Sequence, residues 1–187
     1  MRNRYAFTLV ELLTVIAVIA ILAAITFGIS AGVYERQSRT RAEAELSALA
    51  SALEAYRAQH GSYPVADGTD WDGENAEILY QALTGQIDPK GGEPETKKVF
   101  IDISKFELKD ETDKDEDTFS DDNAFLDPWG LPYGYQFDDP ADGDPDDWNR
   151  FGYLLFSFGP DGEVTDPDRG IFDKEAEDNP DNIYVDD

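Results

Sequence analysis

Residues 12–34 carry no charged side chain over 23 consecutive positions, and this run constrains the fold more than any other feature of the chain. A helix needs about 20 apolar residues to cross the hydrocarbon of a bilayer, so the run is long enough to span one. Arg2 and Arg4 precede it, which keeps that end on the cytoplasmic side. A secretory signal peptide would have a shorter apolar core followed by a small-residue cleavage site. Ala31 and Gly32 are the nearest small residues, and the helical pattern runs straight through them. One residue breaks the apolar logic: Glu11 lies just inside the stretch FTLVELLTVIAVIAILAA. A carboxylate near the membrane core costs about 2.5 kcal/mol or more unless it is paired. Either Glu11 sits at the interface and is solvated, or a cation reaches the same depth.

Charge is distributed very unevenly. The chain holds 41 Asp and Glu against 15 Lys and Arg, a formal net charge of −26, and most carboxylates follow Gly61. Apolar and acidic residues therefore occupy separate regions, which predicts a membrane anchor carrying a soluble acidic head. Nucleic acid is excluded as a partner, because phosphate binding needs clustered cations. With no cysteine, the head has no disulfide to staple it. With one histidine, no phosphate loop and no nucleophile–base pair, the chain does not read as an enzyme.

The apolar run continues into GVYERQSRTRAEAELSALASALEAYRAQHGSYP without a break. Ala42, Leu46, Leu49, Leu53 and Tyr56 recur at helical spacing on one face. Gly61 and Pro64 are stop signals, so the spacing predicts one helix from about residue 8 to about residue 59. His60 reads as a turn or cap residue at its end. Beyond it, residues 77–84 predict a short helix stopped by Gly85, and residues 98–103 (KVFIDI) predict a strand. Residues 108–122 read as a solvated acidic loop. Asp127, Pro128, Gly130 and Pro132 predict a bend around Trp129, with strands at 133–137 and 153–158 and a turn at GPDG, residues 159–162. The acidic residues that follow suit either a solvated turn or calcium, which prefers six to eight oxygen ligands. An EF-hand loop starting at Asp166 is excluded, since Ile171 falls where that loop needs glycine. The run 138–147 offers carboxylates at no diagnostic spacing.

Two strings carry a resemblance. Ala6-Phe7-Thr8-Leu9-Val10-Glu11-Leu12-Leu13 closely resembles the class III signal of type IV pilins and type II secretion pseudopilins, with Ala6 standing where the family usually has Gly. HGSYP at 60–64, DPWGLPY at 127–133 and FSFGPDG at 156–162 are similar to the major pseudopilin, in the same order behind the helix. The resemblance implies an α+β pilin fold. Its long N-terminal helix, with a transmembrane half and an amphipathic half, packs on a small antiparallel β-sheet. It divides the chain into a leader at 1–6, the helix at 7–60 with a transmembrane segment at about 9–31, and an acidic head at 61–187.

The same resemblance implies cleavage between Ala6 and Phe7 by a prepilin peptidase, N-methylation of Phe7, and neutralisation of the Phe7 amine by Glu11 of an adjacent subunit. It also implies one calcium, with side chains of Asp161 and Asp168 and backbone carbonyls of Phe158, Pro160 and Phe172 as ligands; Asp166 is a rival for Asp168. The expected protein is a homopolymer in a single-pass inner-membrane location, its head in the periplasm. Its partners are an assembly platform and minor pseudopilins, and its role is protein export by a type II secretion pseudopilus. The alternatives are a major or minor pilin of a type IV pilus, used for adhesion, motility or DNA uptake, and a membrane-anchored calcium-binding module that never polymerises. Loss of the leader would take the formal charge from −26 to −28, so Arg36, Arg39 and Arg41 are expected to pair with acidic heads of neighbouring subunits.

Overall fold

The computed structural model describes residues 8–66, 70, 73–110, 119–138, 152–164 and 181–185, except for the side chains of 24–33. Helix α1 (Leu9–His60) is continuous over 52 residues and matches the predicted span to within one residue at each end. Gly61, at φ +86°, stops it, in the left-handed region where a residue without Cβ is favoured. The chain divides into two compact units, residues 1–38 and 39–187.

From Leu9 to Leu22 the helix exposes apolar side chains on every side, interrupted by Glu11 and Thr14. Leu9, Val10, Leu12, Leu13, Val15, Ile16, Val18, Ile19, Ile21 and Leu22 are all more than half exposed. The second unit opposes this pattern. Ala42, Leu46, Leu49, Leu53 and Tyr56 have no exposed surface and form the spine of the core, as their spacing predicts.

Helix α2 (Glu74–Leu83) adds Leu79, Tyr80, Ala82 and Leu83 to that core. A short 3-10 turn (Ile103–Lys105) follows. Strands β1 (Glu107–Leu108) and β2 (Phe125–Leu126) pair antiparallel, with Leu108 opposite Phe125. Strands β3 (Gly134–Gln136), β4 (Leu154–Ser157) and β5 (Ile183–Tyr184) form an antiparallel sheet with β4 in the centre. Leu155 pairs with Tyr135 and Ser157 with Ile183. Alternation along β4 serves two clusters. Leu155 joins the helix-facing core, while Leu154 and Phe156 pack with Phe158 and Tyr184 on the other face. This is an α+β architecture consistent with the pilin fold.

Polar groups tie α1 to the head. Glu45, almost fully buried, accepts Arg41 Nε at 2.8 Å and the Tyr133 hydroxyl at 2.6 Å. Arg41 Nη1 reaches Glu107 at 3.0 Å. Burial, reinforced by the charge of Glu45, raises the Tyr133 phenol far above its ordinary value, so it remains the donor. At the end of α1 the His60 ring lies 4.4 Å from Tyr56 and 5.8 Å from Phe100, the turn position expected of it.

One expectation needs correction. Residues 98–103 form no strand: the Phe100 N–H donates to the Leu83 carbonyl at 2.8 Å, closing the end of α2. Asp102 then accepts the Ser104 N–H and hydroxyl, starting the 3-10 turn. The alternation there reflects Phe100 and Ile101 packing inward from an irregular segment. Of the acidic stretch expected as a solvated loop, residues 111–118 lie outside the described residues, and the chain on either side of them is held. Leu108 is buried in β1, and the Asn123 side chain brackets Asp110, accepting its N–H at 2.9 Å and donating to its carbonyl at 3.1 Å. Strands β1, β2 and β5 were not expected from the sequence. The predicted helix at 77–84 and the strands at 133–137 and 153–158 correspond to α2, β3 and β4.

Candidate functional site

The first candidate site is the start of α1. Thr8 precedes the first helical residue, and its hydroxyl accepts the Glu11 N–H at 3.3 Å. Glu11 Oε2 in turn accepts the Thr8 N–H at 2.8 Å and the Thr8 hydroxyl at 2.8 Å. This reciprocal pair is a capping box, a Thr at the cap and a Glu three residues on. It satisfies donors that the first turn of a helix otherwise leaves open. The cation expected to meet Glu11 comes from a neighbouring subunit; within its own subunit Glu11 already accepts two hydrogen bonds from Thr8. Ala6 and Phe7, the expected processing residues, lie outside the described residues.

Residues 1–27 match the prokaryotic N-terminal methylation motif. The methylation motif supports a type IV pilin-like precursor and implies prepilin-peptidase processing and pilin-like polymerisation. No curated protein and no solved structure matches the chain. Among the described residues no helix is long and apolar enough to cross a membrane, and the described side chains of the apolar run stop at Ala23.

The second candidate site is the GPDG turn behind β4. Gly159 and Gly162 take φ values of +71° and +73°, forming the turn the sequence predicts. The Glu163 N–H donates to Asp161 Oδ1 at 2.9 Å. The turn rests on the segment entering β5. A Cβ at Gly159 would lie 2.6 Å from the Asp181 carbonyl oxygen, so only glycine lets the two backbones approach. Asn182, its amide nitrogen turned toward the turn, donates to the carbonyls of Phe158 at 2.6 Å and Glu163 at 3.3 Å.

Asp181 is the residue sequence reasoning missed. It faces Asp161, and burial first, then the Asp161 charge, hold its carboxyl above the ordinary range. Twenty positions separate the two aspartates, and nothing in the acidic tail distinguishes Asp181 from its neighbours. Of the expected calcium ligands, Phe158, Pro160 and Asp161 lie on this turn, while Asp166, Asp168 and Phe172 lie outside the described residues. Among the described residues no three Asp, Glu or His side chains gather as a metal cluster.

The arginines behind the apolar run are largely engaged within the chain. Arg41 pairs with Glu45 and Glu107, and Arg39 Nη2 donates to the Asp181 carbonyl at 3.3 Å. Arg36 is exposed.

Proposed function

We propose that this protein is a structural subunit of a type II secretion pseudopilus, polymerising through its N-terminal helix to drive protein export. The observation that carries the reading is the methylation motif on a helix that is apolar on all sides at one end and one-sided at the other. A helix hydrophobic all round needs lipid or other helices around it. The uncharged run at 12–34 meets the length requirement for a single inner-membrane span, with the head in the periplasm. Prepilin peptidase cuts between Ala6 and Phe7 and methylates Phe7, and Glu11 receives the amine of a neighbouring Phe7 during assembly. An assembly platform and minor pseudopilins complete the machine. The absence of cysteine favours this reading over a surface type IV pilin, many of which close a C-terminal disulfide loop. The protein is not proposed to be an enzyme.

A calcium ion belongs to the same reading. The like-charged pair Asp161 and Asp181 stands beside backbone carbonyls on a turn, an all-oxygen donor set that fits a hard cation. The ion would supply the positive charge that two adjacent carboxylates lack. Asp168, or Asp166 in its place, with the carbonyls of Phe158, Pro160 and Phe172, are the other candidate ligands.

Deletion of the gene tests the role. The expected outcome is retention of secreted proteins in the periplasm, with surface adhesion, motility and DNA uptake unchanged. Normal secretion with loss of surface filaments overturns it in favour of a type IV pilus.

A further inference from the structure

Asp127 has no exposed surface, yet it carries a carboxylate into the interior. A buried charge needs several good hydrogen bonds to be tolerated. Two come from its own bend: Oδ1 accepts the N–H groups of Trp129 at 2.9 Å and Leu131 at 3.0 Å. Had the residue served that bend alone, a neutral asparagine would do as well, since its carbonyl oxygen accepts the same bonds. The second oxygen is directed elsewhere. Oδ2 accepts the hydroxyl of Ser157, the last residue of β4, at 2.6 Å.

That contact fixes the Ser157 hydroxyl. Its single hydrogen is committed to Asp127, so its lone pairs are left as acceptors, and the Gly159 N–H donates to one at 3.2 Å. Gly159 is the first residue of the turn that carries Asp161 and abuts Asp181. The chain of bonds therefore runs from the turn backbone, through a fully buried hydroxyl, to a fully buried carboxylate. The charged acceptor makes the Ser157–Asp127 link short and strong.

We propose that Asp127 is a positioning residue for the 159–163 turn, acting through Ser157 to hold Gly159 and so the backbone that presents Asp161. The part of this inference that concerns cation affinity rests on the calcium reading above; the part that concerns turn order does not. The effect of Asp127 on the turn passes through one hydroxyl, that of Ser157. Outer residues that orient a metal ligand typically change affinity by about 10- to 100-fold when removed.

The test uses the full-length protein in detergent micelles, with two variants, Ser157→Ala and Asp127→Asn. Amide hydrogen exchange is read at Gly159, Trp129 and Leu131, and affinity is measured by titration with calcium chloride. In Ser157→Ala, Gly159 exchange should rise about tenfold while Trp129 and Leu131 stay protected, because Asp127 Oδ1 still serves them. Calcium affinity should fall about tenfold. Asp127→Asn keeps the bend but presents an amide nitrogen to Ser157, so it should reproduce the Gly159 effect without changing side-chain size. Unchanged exchange at Gly159 in both variants overturns the proposal, whatever calcium does. If the wild-type protein takes up no calcium, the calcium reading fails and the exchange result alone decides the positioning role. If calcium binds and Gly159 responds but affinity does not, the step from turn order to affinity is overturned.

Discussion

Helix α1 is one continuous element with two incompatible surfaces. Around Leu12, Val15 and Ile19 its apolar side chains point outward on all sides; around Leu46, Leu49 and Leu53 they converge on one buried stripe. Backbone and helical period are the same in both halves. The difference lies in which partner each half requires. The distal half finds its partner within the chain, in α2 and the sheets. Under the proposed function the proximal half finds its partner in lipid or in other helices. On that reading folding and assembly fall to different ends of one helix, and substitutions should separate them.

The largest separation is expected at Glu11. Glu11→Leu should abolish filament formation, as seen by negative-stain imaging of sheared cell surfaces, while leaving the melting temperature of the head unchanged. A normal polymer from this variant would reduce Glu11 to a local helix cap. Leu49→Ala should do the converse. Removing a fully buried leucine costs about 2–5 kcal/mol, read as a lower denaturation midpoint, with insertion into membranes unaffected. If both substitutions perturb head stability equally, the division of labour along α1 is wrong.

The smallest effect concerns pH and acts where the turn meets the start of β5. The Asp181 carboxyl is raised by burial and by Asp161, so the folded state holds its proton more tightly than the unfolded chain. Stability therefore falls as pH rises from the unfolded carboxylate value, about 3.9, through the higher folded one. Asp127, raised by burial, adds a contribution of the same sign. In chelator, amide exchange at Ile183 and Tyr184 should be slower at about pH 4 than at about pH 6 once corrected for intrinsic rates, and added calcium should remove the difference. Slower corrected exchange at the higher pH would reverse the assigned sign.

Both ends of α1 were legible from the sequence because helical spacing is a local property that survives packing. Leu46, Leu49 and Leu53 stand four and three apart, and that alone places them on one face. The GPDG turn was legible for a similar reason, since its glycines adopt the positive φ that such a turn requires. What failed was long-range pairing. KVFIDI alternates like a strand, but Phe100 meets the end of a helix rather than a neighbouring strand. Strand β5 is two residues in an acidic tail, too short to leave a period, and so its pairing with β4 and the meeting of Asp161 with Asp181 were both missed. The local bonding of Glu11 was not visible. Its depth in the apolar run drew attention to it, whereas Thr8 as its immediate partner required the cap geometry to be seen.

That cap changes how the joining of subunits is to be thought of. A carboxylate that travels with its own hydroxyl and amide donors is not a naked charge waiting to be rescued. Under the proposed function, docking against a neighbour's amine would exchange these bonds for a contact with a cation, so the subunit would arrive with its carboxylate already held in place.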